Sequence, residues 1–116
     1  MNDIMRIMNR GYNTKKQGTV EYLVFKEGNT FVGVCLTFDL VREGKDPDAL
    51  LEELRESARD HINTVILKDM PEALLNRHAP AEYWRIYDQN TKVKSEKLLI
   101  KSPYSFDFSN NALSIA

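Results

Sequence analysis

The amino-acid sequence predicts an α+β fold: a three-stranded antiparallel meander packed on one long helix, with a short helical C-terminal extension. Two runs rich in β-branched and aromatic residues, 19–27 and 30–38, are separated only by Gly28-Asn29. An apolar stripe at helical spacing then runs from Leu50 to Ile66. Short strands followed by one long amphipathic helix favour this fold class.

The hairpin is predicted from the two residues between the first two runs. A two-residue primed turn needs positive φ, which Gly28 and Asn29 tolerate. The short segment 39–44 is predicted to return as the third strand. Strand-like patterns at 97–100 and 104–108 leave open a late edge strand.

The long helix is predicted to begin at Asp46-Pro47. The Asp46 carboxylate suits an N-cap, and proline suits the first helical position because its missing N–H has no helical partner there. Pro71 disfavours helix in the residue before it, so the helix is expected to end near residues 68–70. The stripe consists of Leu50, Leu51, Leu54, Ala58, Ile62, Val65 and Ile66.

Two brief segments are expected to cover the far end of this helix. Residues 71–77 and 80–87 each read as a short helix with proline at its start. The second contains Tyr83, Trp84 and Tyr87, and it is too short to be stable alone. These aromatic side chains are therefore predicted to pack on the sheet, on the long helix or on a second subunit.

Length and composition indicate one globular domain. The chain has 116 residues, of which 42% are hydrophobic and 28% charged. No apolar run approaches the roughly 20 residues that cross a bilayer, and the start lacks a signal-peptide core. Cys35 is the only cysteine, so we expect no intrachain disulfide and a cytoplasmic protein.

The chain is predicted to divide into three segments. They are a flexible basic arm at 1–18, the α+β domain at 19–88, and a weakly structured tail or late strand at 89–116.

Charge is distributed unevenly along the chain. Residues 1–26 carry five basic and two acidic side chains, whereas residues 39–60 carry eight acidic and four basic ones. Residues 89–116 carry four lysines against two acidic residues. Such asymmetry can mark a surface that contacts another macromolecule, and solvated faces with a mobile basic tail are the alternative.

The residues that could carry chemistry do not form a catalytic pattern. His61 lies on the flank of the long helix and His78 in a linker, without a defined carboxylate partner. Cys35 reads as a small buried hydrophobe within a strand. A turn and a helix cap account for the acidic residues Asp39, Glu43, Asp46 and Asp48. We therefore expect no enzyme activity, no cofactor and no metal site.

The middle of the chain resembles the HicB-like antitoxin family. The resemblance rests on residues 31–46, FVGVCLTFDLVREGKD, and on the helix positions Ala49, Leu50, Leu54, Glu56 and Ala58. The family shows a strand Tyr/Phe-Val-Ala-x-Cys-Pro-x-x-Asp, a turn Gly-Asp/Glu-Thr and a helix Ala-Leu-x-x-Leu-x-Glu-Ala. The match covers about residues 19–67. Gly33, Leu36 and Pro47 depart from it, and the turn is one residue longer.

The resemblance implies a β-β-β-α core, a partial RNase H fold without nuclease activity. Typical members neutralise a small basic HicA-type mRNA endoribonuclease by covering its active-site surface. Many carry a C-terminal ribbon-helix-helix or helix-turn-helix segment. The chain after Tyr87 has too little helical periodicity for either motif, which argues against specific DNA binding. The alternative function is a solitary oligomeric binding or housekeeping protein of this fold without a toxin.

The partner-binding surface is predicted at the sheet edge, the long helix and the acidic stretch 39–60, together with the single tryptophan. Its residues are Asp39, Glu43, Asp46, Asp48, Glu52, Glu56 and Trp84. A homodimer or higher oligomer is also expected, because the second strand is apolar on both faces. Phe31 and Cys35 are predicted on one face, and Val32, Val34, Leu36 and Phe38 on the other. One helix covers one face, so either the C-terminal aromatic residues or a second subunit must cover the other.

Overall fold

The computed structural model describes residues 12–89 together with two strands at 99–107 and 112–114. Five antiparallel strands form one sheet in the order β3-β2-β1-β4-β5. The strands are β1 Gln17–Glu27, β2 Thr30–Cys35, β3 Leu40–Gly44, β4 Leu99–Asp107 and β5 Ala112–Ser114. The predicted meander of β1, β2 and β3 is confirmed. The late strand β4 lies between β1 and β5, so it is not at the edge of the sheet.

The turn between β1 and β2 has the geometry that its sequence predicts. Glu27 and Thr30 pair directly across it. Gly28 has φ +63°, and Asn29 is not among the residues with positive φ. Positive φ at the first central residue alone is the type II′ pattern, which matches the right-handed twist of the two strands. In the next turn Asp39 has φ 57°, a left-handed conformation that aspartate tolerates better than most residues.

The long helix α1, Pro47–Leu67, packs on one face of the sheet, here called the α1 face. Its predicted start is confirmed, because the Asp46 carboxylate accepts from the backbone N–H groups of Asp48 at 3.0 Å and Ala49 at 3.3 Å. The predicted stripe faces the sheet, with Leu50, Leu51, Leu54, Ala58, Ile62 and Val65 buried. No helix among the described residues is long and apolar enough to span a membrane.

Gly33 sets how closely α1 approaches β2. A Cβ at this position would lie 2.8 Å from Cγ of Leu50 and 2.8 Å from Cδ1 of Leu54. Both distances are shorter than a carbon–carbon contact allows. Glycine, which has no Cβ, therefore lets the helix lie closer to the sheet at this point.

The chain reaches the opposite face of the sheet by passing around the end of β2. After α1 comes a short 3-10 helix, Glu72–Leu75, and then an extended connector. Within the connector, the N–H of His78 donates to the carbonyl of Thr37 at 3.0 Å. The N–H of Ala79 donates to the carbonyl of Leu36 at 2.7 Å. The helix α2, Ala81–Gln89, then lies on what we call the α2 face.

The α2 face is covered by side chains of the same chain. Trp84 is 1% exposed and Tyr87 is also buried. Their apolar partners on the sheet and connector are Leu23, Val32, Val34, Leu36 and Ala79. The sequence allowed either the C-terminal aromatic residues or a second subunit to cover this face. In the structure the C-terminal aromatic residues cover it.

Phe38 corrects one detail of the predicted faces. We expected it on the same face as Val34 and Leu36, but it packs in the α1-face core. The reason is that β2 ends at Cys35, so the turn that follows breaks the alternation of side chains. The Phe38 ring centroid lies 4.6 Å from that of His61 in α1.

The part of the predicted arm that the structure describes, residues 12–18, is packed against the domain. Asn13 is 7% exposed, and its side-chain amide donates to the carbonyls of Thr19 and Leu75. Asn76 accepts from the N–H of Asn13 at 2.7 Å and donates back to its carbonyl at 2.9 Å. A hydrogen bond from Lys15 lowers the pKa of Asp69. Residues 1–11 of the arm lie outside the described residues.

Candidate partner-binding surface

The structure separates the predicted surface residues into two groups. The six carboxylates are all exposed, whereas Trp84 is buried under the α2 face and presents no surface to a partner. Burial of the indole ring is favourable because it removes a large apolar area from water in a small core. The candidate surface is therefore acidic and excludes Trp84.

The carboxylates do not all lie on the same side of the sheet. Glu43 is paired with Val32, whose side chain packs on the α2 face, so Glu43 points to that side. Asp39 lies in the turn between β2 and β3. The Asp46 carboxylate is occupied as the N-cap of α1. The structure thus brings together only the carboxylates that lie along α1.

Those carboxylates form an acidic row on the exposed side of α1, which we define as Asp48, Glu52, Glu56 and Asp60. A spacing of four residues places each next to the following one, and the row extends roughly 18 Å at 1.5 Å per residue. Like charges at this spacing destabilise a helix by a few tenths of a kcal/mol per pair. Asp60 was not among the residues predicted from the sequence, although its position four residues after Glu56 indicates that the two are neighbours on the helix surface.

Within the described part of the chain, Arg55 and Arg59 of α1 offset the charge of the acidic row only in part. The ion pair found there joins Arg55 Nη1 to Glu52 Oε2 at 3.7 Å. Such exposed pairs contribute about 0–1 kcal/mol. The acidic row therefore projects a negative field into solvent, which is the physical basis for attracting a basic macromolecule.

The contacts of the two histidines are accounted for by the packing of the fold. His61 Nε2 lies 2.6 Å from the carbonyl oxygen of Leu74, and since a carbonyl only accepts, this nitrogen carries the proton. His78 occupies the connector with φ 56°, and its ring centroid lies 5.8 Å from that of Trp84. Within residues 12–89 and the two late strands, no three potential metal-ligating side chains are grouped.

Cys35 is fully buried in β2 as a free thiol. Burial raises the pKa of the thiol from 9.0 to about 12, which outweighs the backbone hydrogen bonds at Phe38 and Thr37. A thiol held protonated and away from solvent is a poor nucleophile. Its role in the described structure is to fill the core beside α1.

This burial predicts a specific loss of stability at alkaline pH. Above about pH 9 the unfolded chain loses the thiol proton while the folded protein keeps it, so the free energy of unfolding falls as pH rises towards 12. The loss is about 1.4 kcal/mol per pH unit for this group. Urea unfolding of the native protein and of Cys35→Ala at pH 8 and pH 10.5 should show the native protein losing about 2 kcal/mol more. Equal losses in the two proteins would contradict a buried thiol.

Comparisons of the chain with protein-family models, curated proteins and solved structures found no match.

Proposed function

We propose that this protein is a HicB-like antitoxin, or an antitoxin-derived binding protein, that neutralises a small basic HicA-type mRNA endoribonuclease by direct contact. The observation that carries the proposal is the acidic row on α1. A β-β-β-α core with a long helix on one face of the meander is also the arrangement that the family resemblance implies.

The proposed contact is driven by charge complementarity. An endoribonuclease that binds RNA presents cations to its substrate, and the acidic row presents carboxylates whose charge the arginines of α1 offset only in part. Opposite charges on two surfaces speed encounter and reject wrong partners more than they add affinity. Binding a basic surface would also relieve the repulsion between neighbouring carboxylates along α1.

The position of α2 supports the α1 side of the molecule as the contact surface. Trp84 and Tyr87 already occupy the α2 face across β1 and β2. A partner could use that face only by displacing a buried core. The exposed side of α1 needs no rearrangement, so it is the surface we assign to the toxin.

The test is neutralisation of the basic product of a short neighbouring open reading frame. We expect co-expression to rescue growth, and Glu52→Lys/Glu56→Lys to slow association at least about tenfold at low salt. The matched control, Glu27→Lys/Glu82→Lys, changes the same charge at exposed positions off the acidic row and should leave association unchanged. Equal effects of the two variants would contradict the proposed surface, provided that both unfold at similar temperatures.

The homo-oligomer expected from the sequence stays a prediction. It was expected because one apolar face of the sheet needed a cover, and α2 covers that face within the chain. A multiple of 13.4 kDa by light scattering at micromolar concentration would require another apolar surface. An oligomer without any neighbouring basic partner would favour the alternative, a solitary oligomeric binding protein of the same fold.

A further inference from the structure

We propose that Asn13 and Asn76 form a latch that keeps α2 on the sheet, so that releasing the latch opens the α2 face while the α1 face stays folded. The proposal goes beyond the proposed function, because it concerns the face of the sheet that the acidic row does not use. It assigns a conformational device to a short segment that precedes β1.

The latch is a reciprocal pair of hydrogen bonds between two asparagines that lie 63 positions apart in the chain. The backbone N–H of Asn13 donates to Oδ1 of Asn76 at 2.7 Å, and Nδ2 of Asn76 donates to the carbonyl of Asn13 at 2.9 Å. In an amide only the nitrogen donates and only the oxygen accepts. Aspartate has nearly the same shape but lacks the donor, so it would break the pair.

The side chain of Asn13 is itself held in place, which gives Asn76 a fixed partner. Oδ1 of Asn13 accepts from the N–H of Thr19 at 2.9 Å, and Nδ2 donates to the carbonyl of Leu75 at 2.9 Å in buried surroundings. The N–H of Lys15 donates to Oε2 of Glu72 at 2.9 Å. These bonds join the segment before β1 both to β1 and to the 3-10 helix. Losing one partner of a buried bond costs free energy, so the network resists displacement.

Asn76 lies where the chain leaves the α1 face. Just before it, Leu75 is fully buried in the α1-face core. Just after it, the connector is held by backbone hydrogen bonds to the residues that follow β2, and Ala79 belongs to the α2-face core. The residues on the two sides of Asn76 therefore belong to different cores, and a movement about Asn76 separates them.

α2 is held more weakly than α1. Its nine residues bury Trp84 and Tyr87, whereas the 21 residues of α1 bury six side chains. A helix as short as α2 is not stable without its packing. His78 has φ 56°, a left-handed conformation that is unfavourable for a residue with a side chain, and release of the connector would relieve it. Since local opening begins in the least stable part of a protein, the segment 76–89 opens before α1.

Opening of this segment changes which surface the molecule presents. It uncovers apolar residues of the sheet that α2 buries, namely Leu23, Val32, Val34 and Leu36. An uncovered apolar patch of this kind is a surface for association with other molecules. The latch therefore sets how often that surface is available without unfolding of the α1 face.

The experiment follows two signals during urea unfolding of the full chain. Fluorescence of Trp84 reports on the α2 face, and far-ultraviolet circular dichroism reports mainly on the 21-residue helix α1. In Asn76→Asp and in Asn13→Asp, we expect the fluorescence to change at a lower urea concentration than the dichroism, with a wider gap than in the native protein. Hydrogen exchange of the His78 and Ala79 amides should become at least about tenfold faster.

Asn29→Asp is the matched control, because it makes the same change at an exposed turn residue away from the latch. It should leave the gap and the exchange as they are in the native protein. Equal shifts of both signals in the latch variants would overturn the proposal, because the latch would then stabilise the whole domain. Unchanged exchange at His78 and Ala79 would also overturn it.

Two variants are needed because Asn13 is buried and its replacement alone could prevent folding. Asn76 is only partly buried, so Asn76→Asp decides the question in that case. Failure of both variants to fold would count against the proposal in the same way as equal shifts of the two signals. Neither result bears on the acidic row, whose test uses a partner and different substitutions.

Discussion

Replacing Trp84 with alanine should lower the free energy of unfolding by about 3–5 kcal/mol, the usual cost of removing a large buried aromatic side chain. Trp84 is 1% exposed and fills the space between α2 and the sheet, where its ring meets that of Tyr87 edge-on at 6.0 Å. Chemical denaturation followed by circular dichroism measures the effect, since the substitution also removes the only tryptophan.

The control for Trp84 lies two residues earlier in the same helix. Glu82→Ala removes an exposed side chain and should change stability by no more than about 0.5 kcal/mol. In the native protein the single tryptophan should be inaccessible to a soluble fluorescence quencher until the protein unfolds. A quenchable Trp84, or a variant as stable as the native protein, would show that α2 does not cover the sheet.

Leu54→Ala and Ile62→Ala should each cost about 2–5 kcal/mol, because each opens a cavity between α1 and the sheet. Both side chains are fully buried in the α1-face core. The Leu54 substitution should lie towards the upper end of that range. Its Cδ1 packs directly against Gly33, 2.8 Å from where a Cβ at that position would lie, so its loss opens a cavity at the closest approach of α1 to the sheet.

Glu52→Ala serves as the matched control on the same helix. Glu52 lies on the exposed side of α1 with one weak ion pair to Arg55, so its removal should stay within about 0.5 kcal/mol. Denaturation midpoints for the three variants give the ranking directly. If Glu52→Ala were as destabilising as the two core substitutions, the helix would be rotated from the orientation described.

Local signals explain why the meander and α1 could be predicted. Gly28 marks the hairpin because one residue must take positive φ, and Asp46-Pro47 marks the helix start because both satisfy its first turn. β4 could not be placed in the same way. Its partner β1 lies some 80 residues earlier, so no neighbouring residue encodes the pairing.

The candidate surface was predictable only in part, for a similar reason. The exposure of Glu52 and Glu56 follows from the helical spacing of the buried residues. The side on which Glu43 lies, and the burial of Trp84, depend instead on how the chain crosses from one face to the other. That crossing is set by backbone hydrogen bonds from His78 and Ala79 to the two residues that follow β2, and these bonds leave no signature in composition or spacing.

The pairing of β1 with β4 has a consequence for synthesis on the ribosome. β1 ends at Glu27, and its second neighbour is not complete until Asp107. At about 5–20 residues per second, the strand has one side without its final partner for roughly 4–16 s. Its buried residues include Val20, Leu23 and Val24, an apolar strand of the kind that pairs with other nascent chains. The emerging protein is therefore prone to aggregate through this strand until translation has passed Asp107.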